Sequence, residues 1–268
     1  MKHLYKLASV LAAFCAALNM TAQTVPTPVQ QAATNLKAAL HQLIKVHESL
    51  GYDNLNNYYP STDADANGKV WDMYSNIQYS FSDNGSNFSQ EGDGWNKEHT
   101  VPQNWFDEQN PMKCDLFQVY PTDGYVNNRR GNLPYGEVSG PPKYTSKNGS
   151  KMGSCATAGY TGDVFEPIDE YKGDIARIYF YMATCYGDKV NNWSGGVFGA
   201  DDLYTDVTGY PGMKEWALKM FLRWSAADPV SQKEIDRNNA VYNVQGNRNP
   251  FIDTPGLERF IWSDYLTE

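Results

Sequence analysis

Residues 95–132 constrain this chain more than any other stretch. Trp95-Asn96-Lys97-Glu98-His99-Thr100-Val101-Pro102 sets a carboxylate beside an imidazole shortly before a proline. Tyr125-Val126-Asn127-Asn128-Arg129-Arg130-Gly131-Asn132 follows. Neighbours on a strand point to opposite faces, so Glu98 and His99 can share a site only where a strand ends or bends. Pro102 supplies such an end. If Asp123 caps a short helix, spacings of three and four residues place Asn127 beside Arg130 and Gly131 on one helical face. Together the segments hold a base, two hard oxygen ligands and a guanidinium. Those are the parts of metal-assisted attack on a phosphodiester.

Elimination points to His99 as the base. Of four histidines, His3 lies in a leader-like segment, and His41 and His47 fall on an early helix. His99 alone adjoins a carboxylate in a polar, turn-rich context, and imidazole titrates near neutral pH. The competing reading is a buried histidine donating to a backbone carbonyl, with Asn127 and Arg130 merely capping and solvating a loop.

The ends and the charge set the compartment and the limits on partners. Lys2 and Lys6 precede an apolar run from Leu7 to Leu18, and Thr21-Ala22-Gln23 makes a cleavage site, so residues 1–23 read as a secretory signal peptide. Phe14 before Cys15 argues against lipid attachment. Residues 24–268 are expected to form a single domain. Without the leader's two lysines the net charge moves from −9 to −11. Tight non-specific nucleic-acid binders are usually basic, so a polyanion would be held loosely and with a cation's help. Residues 95–151, with seven basic and six acidic side chains, are locally close to neutral. Cys114, Cys155 and Cys185 allow one disulfide and one leftover thiol. Cys155–Cys185 is the preferred pair, because Cys114 sits within the site segment.

The rest of the chain reads as mostly helix around a small antiparallel sheet, an α+β class. Leu36, Leu40, Leu43, Ile44 and His47 mark a helix over 34–50 capped by Thr34. Pro167–Tyr186 reads as an amphipathic helix, and Gly212–Trp224, Ser231–Asn243 and Leu257–Tyr265 as further helices. The segments 84–94 and 139–162 read as loops. Asp63-Ala64-Asp65-Ala66-Asn67-Gly68 resembles the start of a calcium loop, but Tyr74 stands where a bidentate glutamate is needed. An Asx-rich turn feeding Lys69-Val70-Trp71 is favoured instead.

The two site segments, taken together, resemble the bacterial endonuclease I family of secreted and periplasmic nucleases, which are His-Me finger (ββα-metal) enzymes. The resemblance extends through Asp115-Leu116, Tyr120–Asn127, Asn132–Glu137, Val164–Pro167, Glu170–Arg177 and Gln245–Asp253. It implies that His99 is the general base, that Glu98 and Asn127 bind one Mg²⁺ (replaceable by Mn²⁺ or Ca²⁺), and that Arg130 stabilises the phosphate. It further implies a monomer cleaving DNA, and often RNA, with little sequence preference and leaving 5′-phosphates; no membrane is expected, because no stretch after the leader approaches about 18 uninterrupted apolar residues. Gln118 and Gly131 depart from the family's usual His or Asn and Ser. Alternatives from other classes are an aromatic-rich glycan- or surface-binding protein, an inactive nuclease-derived module, and a small-nucleotide phosphodiesterase.

Overall fold

The computed structural model describes residues 26–194, 199–204 and 210–266, so the expected signal peptide lies outside the described residues. Helix α1 spans Pro26–Ile44, not 34–50. Proline is tolerated in a first turn, where N–H groups have no helical partner anyway, so the helix can begin ahead of Thr34. It stops at Ile44 because the chain turns away, and the Glu48 amide bonds the Gln245 carbonyl. A second helix, α2, covers Leu55–Thr62.

Strand β1 (Trp95–His99) pairs antiparallel with β2 (Val119–Asp123), and α3 (Gly124–Arg130) follows directly. A separate antiparallel sheet contains β3 (Tyr144–Thr145), β4 (Lys151–Ser154) and β5 (Asp163–Glu166). The fold is therefore α+β, with two small sheets among the described residues where one was expected. β3 and β4 fall in the segment expected to be loop. Its Gly, Ser and Lys content carries no strand signal, and pairing of β3 to β4 and of β4 to β5 rather than local propensity makes the strands.

Helix α4 (Lys172–Cys185) is buried at every residue from Gly173 onward. It packs on α1, on α5 (Glu215–Ala227) and on α7 (Pro250–Asp253). An enclosed helix needs no polar face, so the amphipathic reading gives way to a central core helix. Its buried Arg177 donates to Asp174, Glu234 and the Asp228 carbonyl. Glu234 also completes a capping box with Ser231 at the start of α6 (Gln232–Gln245). The chain closes with α8 (Leu257–Ile261).

One expectation is corrected here. The three cysteines among the described residues, Cys114, Cys155 and Cys185, are free thiols, so Cys155 and Cys185 are unpaired. Cys185 Sγ donates to the Ile44 carbonyl, whereas the Cys155 sulfur turns to the backbone of Thr157. Of the seven tryptophans six are buried and Trp71 is half-buried, so the indoles build the core instead of exposed stacking platforms. The Asx turn holds: Asp65 accepts from the Asn67 and Lys69 amides. Asp63 is buried against Arg237 and is no calcium ligand.

Candidate active site

β1 is an outer strand of a two-stranded sheet, and its far edge would present bare carbonyls. Helix α3 covers that edge. Asp123, the last residue of β2, turns the chain into α3: its Oδ1 accepts from the Tyr125 and Val126 amides, 2.9 and 3.0 Å away. Its Oδ2 accepts from Tyr79 Oη and the Gly92 amide. The spacing of three along α3 then sends Asn127 and Arg130 to the same edge. Asn127 Nδ2 donates to the Lys97 carbonyl (3.2 Å) and to Asn96 Oδ1 (2.9 Å). Arg130 Nη1 donates to the His99 carbonyl (2.8 Å) and Nη2 to the Thr100 carbonyl (2.8 Å).

His99 ends β1 and is 6 % exposed. Its Nε2 lies 3.0 Å from the Lys113 carbonyl oxygen. A carbonyl can only accept, so Nε2 carries the proton and Nδ1 keeps its lone pair. Nδ1 takes no hydrogen bond among the described residues. The ring stacks on Tyr52, with centroids 5.8 Å apart and planes at 19°. Burial pushes the imidazole pKa down to about 4, so it is neutral at any pH near 7. The contact with a backbone carbonyl, expected of a structural histidine, fixes the tautomer and leaves Nδ1 with its lone pair.

Glu98 is 1 % exposed. Its Oε1 accepts from Tyr74 Oη (2.6 Å) and Arg130 Nη1 (2.8 Å), with Tyr135 Oη at 3.5 Å. Burial raises its pKa, opposed by Arg130 and the tyrosine hydroxyls. Its Oε2 and Asn127 Oδ1 accept no hydrogen bond among the described residues. Glu98 thus has one oxygen held by protein donors and one left over, and Asn127 has its amide nitrogen committed and its one oxygen left over.

Arg130 differs from expectation. It is 1 % exposed, and four of its five N–H donors go to Leu133, Glu98, His99 and Thr100. Its guanidinium lies 4.6 Å from the Tyr135 ring centroid. Burial works against its charge, but Glu98 and the surrounding tyrosines hold the pKa above the usual arginine value. A guanidinium so committed has no fork to offer a substrate phosphate. Arg130 positions Glu98 and the end of β1.

The structure therefore joins Glu98, His99, Asn127 and Arg130 around one strand edge. The family model for endonuclease I matches residues 32–256. The chain belongs to the endonuclease I family. It is a nuclease, a hydrolase. An extracellular ribonuclease of Bacillus amyloliquefaciens is 36% identical over 240 residues, spanning 87% of this chain and 75% of that protein. One from Bacillus subtilis (strain 168) is 35% identical over 240 residues, with 85% and 74% covered. An extracellular deoxyribonuclease of Aeromonas hydrophila is 28% identical over 149 residues, 55% of this chain and 52% of the relative.

Within this endonuclease I chain the two departures have physical accounts. Gln118 is fully buried; its Oε1 accepts from the Val101 amide and its Nε2 donates to the Met112 carbonyl at 2.7 Å. It staples the end of β1 to the turn whose next residue, Lys113, holds the His99 ring. Gly131 ends α3 at φ 56°, ψ −127°, a conformation in which serine would be strained. Sequence reasoning missed Tyr52, Tyr74 and Tyr135. Their contacts join residues 24 to 61 positions apart in the chain, and no local spacing announces such contacts.

A cluster of His47, Asp115 and Cys185, with ligand atoms within 4.8 Å of one another, lies elsewhere in the core. Asp115 there already accepts from Tyr181, Tyr186, Gln245 and the Phe117 amide. It reads as a satisfied core network.

Proposed function

We propose that this chain is an exported, Mg²⁺-dependent, sequence-nonspecific endonuclease of the ββα-metal (His-Me finger) kind, cleaving RNA and DNA to 5′-phosphate products. The observation that carries the reading is the His99 imidazole. It is neutral, fixed through Nε2, and has a free Nδ1 on a strand end beside Glu98 and Asn127. The leftover Oε2 of Glu98 and Oδ1 of Asn127 are hard donors of the kind that would hold Mg²⁺, with Mn²⁺ or Ca²⁺ as substitutes. A divalent ion held there would neutralise charge on the phosphate and on the departing 3′-oxygen.

The chain's own residues do the rest. His99 Nδ1 takes a proton from water as the water oxygen bonds to phosphorus. The bond to the 3′-oxygen breaks, and that oxygen gains a proton from solvent. Arg130 and Tyr74 keep Glu98 charged and oriented. The relatives aligned over most of their length are named ribonucleases, which supports RNA as a substrate, and the shorter matches to deoxyribonucleases support DNA. Among the described residues no helix is long and apolar enough to cross a membrane. The expected action as a monomer remains part of this proposal.

The test is digestion of plasmid and of RNA side by side, with Mg²⁺, with chelator, and with His99→Ala. Loss of a general base costs roughly 10²- to 10⁴-fold. Chelator-resistant cleavage, or a His99→Ala variant as fast as the parent, would overturn the assignment.

A further inference from the structure

Committing Arg130 to the protein interior leaves the phosphate without a cationic side chain, and the geometry around His99 contains a replacement. Residues i and i+2 of a strand share a face, so Lys97 leaves β1 on the same side as His99. Both meet the Tyr52 ring: His99 stacks on it, and Lys97 Nζ lies 4.3 Å from its centroid. Lys113 Nζ lies 4.9 Å from that centroid but is tied to the exposed Glu108 by a short ion pair. Lys97 makes no ion pair or hydrogen bond among the described residues. It is half-buried, so part of its hydration is already lost. Arg129, the exposed neighbour of Arg130, is turned onto Tyr125 and Tyr144 at the other end of α3.

We propose that Lys97 is the phosphate ligand of this site, with Tyr52 as the plate that sets the ammonium and the imidazole side by side. The proposal rests on the reading of His99 as the base. A phosphodiester oxygen approaching His99 from the open side meets an ammonium with three uncommitted donors. That contact supplies the charge neutralisation expected of Arg130 from the sequence, and it is electrostatic and monodentate where the guanidinium would have been a fork.

The experiment measures kcat/KM on RNA as a function of salt for the parent, Lys97→Met, Lys97→Arg and His99→Ala, at fixed Mg²⁺. A lost charged hydrogen bond lowers kcat/KM by roughly 10- to 100-fold. Losing one phosphate contact also flattens the slope of log kcat/KM against log salt by about 0.7 on a single strand. The proposal expects both changes in Lys97→Met and neither in Lys97→Arg. A Lys97→Met variant with the parent's salt slope, whatever its rate, overturns it, since a purely structural lysine would slow all salt conditions alike. If Lys97→Met keeps the parent's salt slope while His99→Ala is inactive, the active-site reading survives and the lysine assignment fails. If His99→Ala is fully active, both fall.

Discussion

Replacing Arg130 by alanine distinguishes a positioning residue from a substrate clamp. In the structure the guanidinium balances the buried Glu98 carboxylate at 2.8 Å and satisfies three carbonyls, those of Leu133, His99 and Thr100. Removing one member of a buried pair typically costs about 3–5 kcal/mol. Each carbonyl left bare adds about 1–3 kcal/mol unless water enters the cavity. Allowing for water, Arg130→Ala should lose about 4 kcal/mol or more, a large part of the ~5–15 kcal/mol available to a folded chain. Arg130→Lys retains the charge but offers three donors from one point, so it should lose roughly 2 kcal/mol. Glu98→Gln added to Arg130→Met should recover much of the single variant's loss, because no unpaired charge then remains. Urea midpoints for the four variants, with matched activity assays, provide the measurement. An Arg130→Ala protein within about 1 kcal/mol of the parent, yet weak in binding substrate, would refute the positioning role.

Three further outcomes are expected. Burial, opposed by bonds from Ser75 and the Tyr74 amide, pushes the Asp72 pKa from 3.8 up to about 7. A carboxyl raised on folding stabilises the protein at low pH and loses that contribution as pH rises through about 7. Asp72→Asn should therefore gain up to roughly 4 kcal/mol relative to the parent between pH 4 and 8, and a pH-independent difference by chemical unfolding would contradict this. Gln118→Leu should unbind the Met112 turn from β1, lowering kcat more than about tenfold through the loosened His99 ring while KM holds steady; a change confined to KM would argue otherwise. Because its thiols are free, reductant should leave the melting temperature unchanged, and a drop on adding dithiothreitol would reveal a disulfide.

The site was legible where chemistry is local. Asp123 announces the α3 cap because an Asx side chain two and three residues ahead of amides needs no tertiary partner. Glu98, His99 and Asn127 stood out because few residue types can ligate a hard ion or take a proton. The setting of Arg130 is not legible, because a sequence shows that a guanidinium exists but not whether carbonyls will consume it. Its burial depends on the edge of β1, on Leu133 and on Tyr135, none visible as a pattern. The cysteine pairing failed for a related reason: odd counts bound the options, but the distance between Cys155 and Cys185 is set by how α4 is enclosed. The loop composition of 139–162 hid β3 and β4, because strands that short are made by their neighbours.

The same contacts solve two problems at once. An outer strand with bare carbonyls invites pairing with another chain. Here Asn127 and Arg130 answer the carbonyls of Lys97, His99 and Thr100 with side-chain donors. Once Asn127 spends its amide nitrogen on the strand, its oxygen is necessarily turned elsewhere; once Arg130 spends its guanidinium there, Glu98 is held by one oxygen and the other is released. Under the proposed function the ligand set is thus a by-product of capping the edge, which would couple stability to activity. Changes to Asn127 should expose that coupling in one direction only. Asn127→Asp retains an oxygen ligand but loses both donations to β1, so it should weaken folding while still permitting cation binding, whereas a variant that bound no cation yet folded as firmly as the parent would separate the two roles.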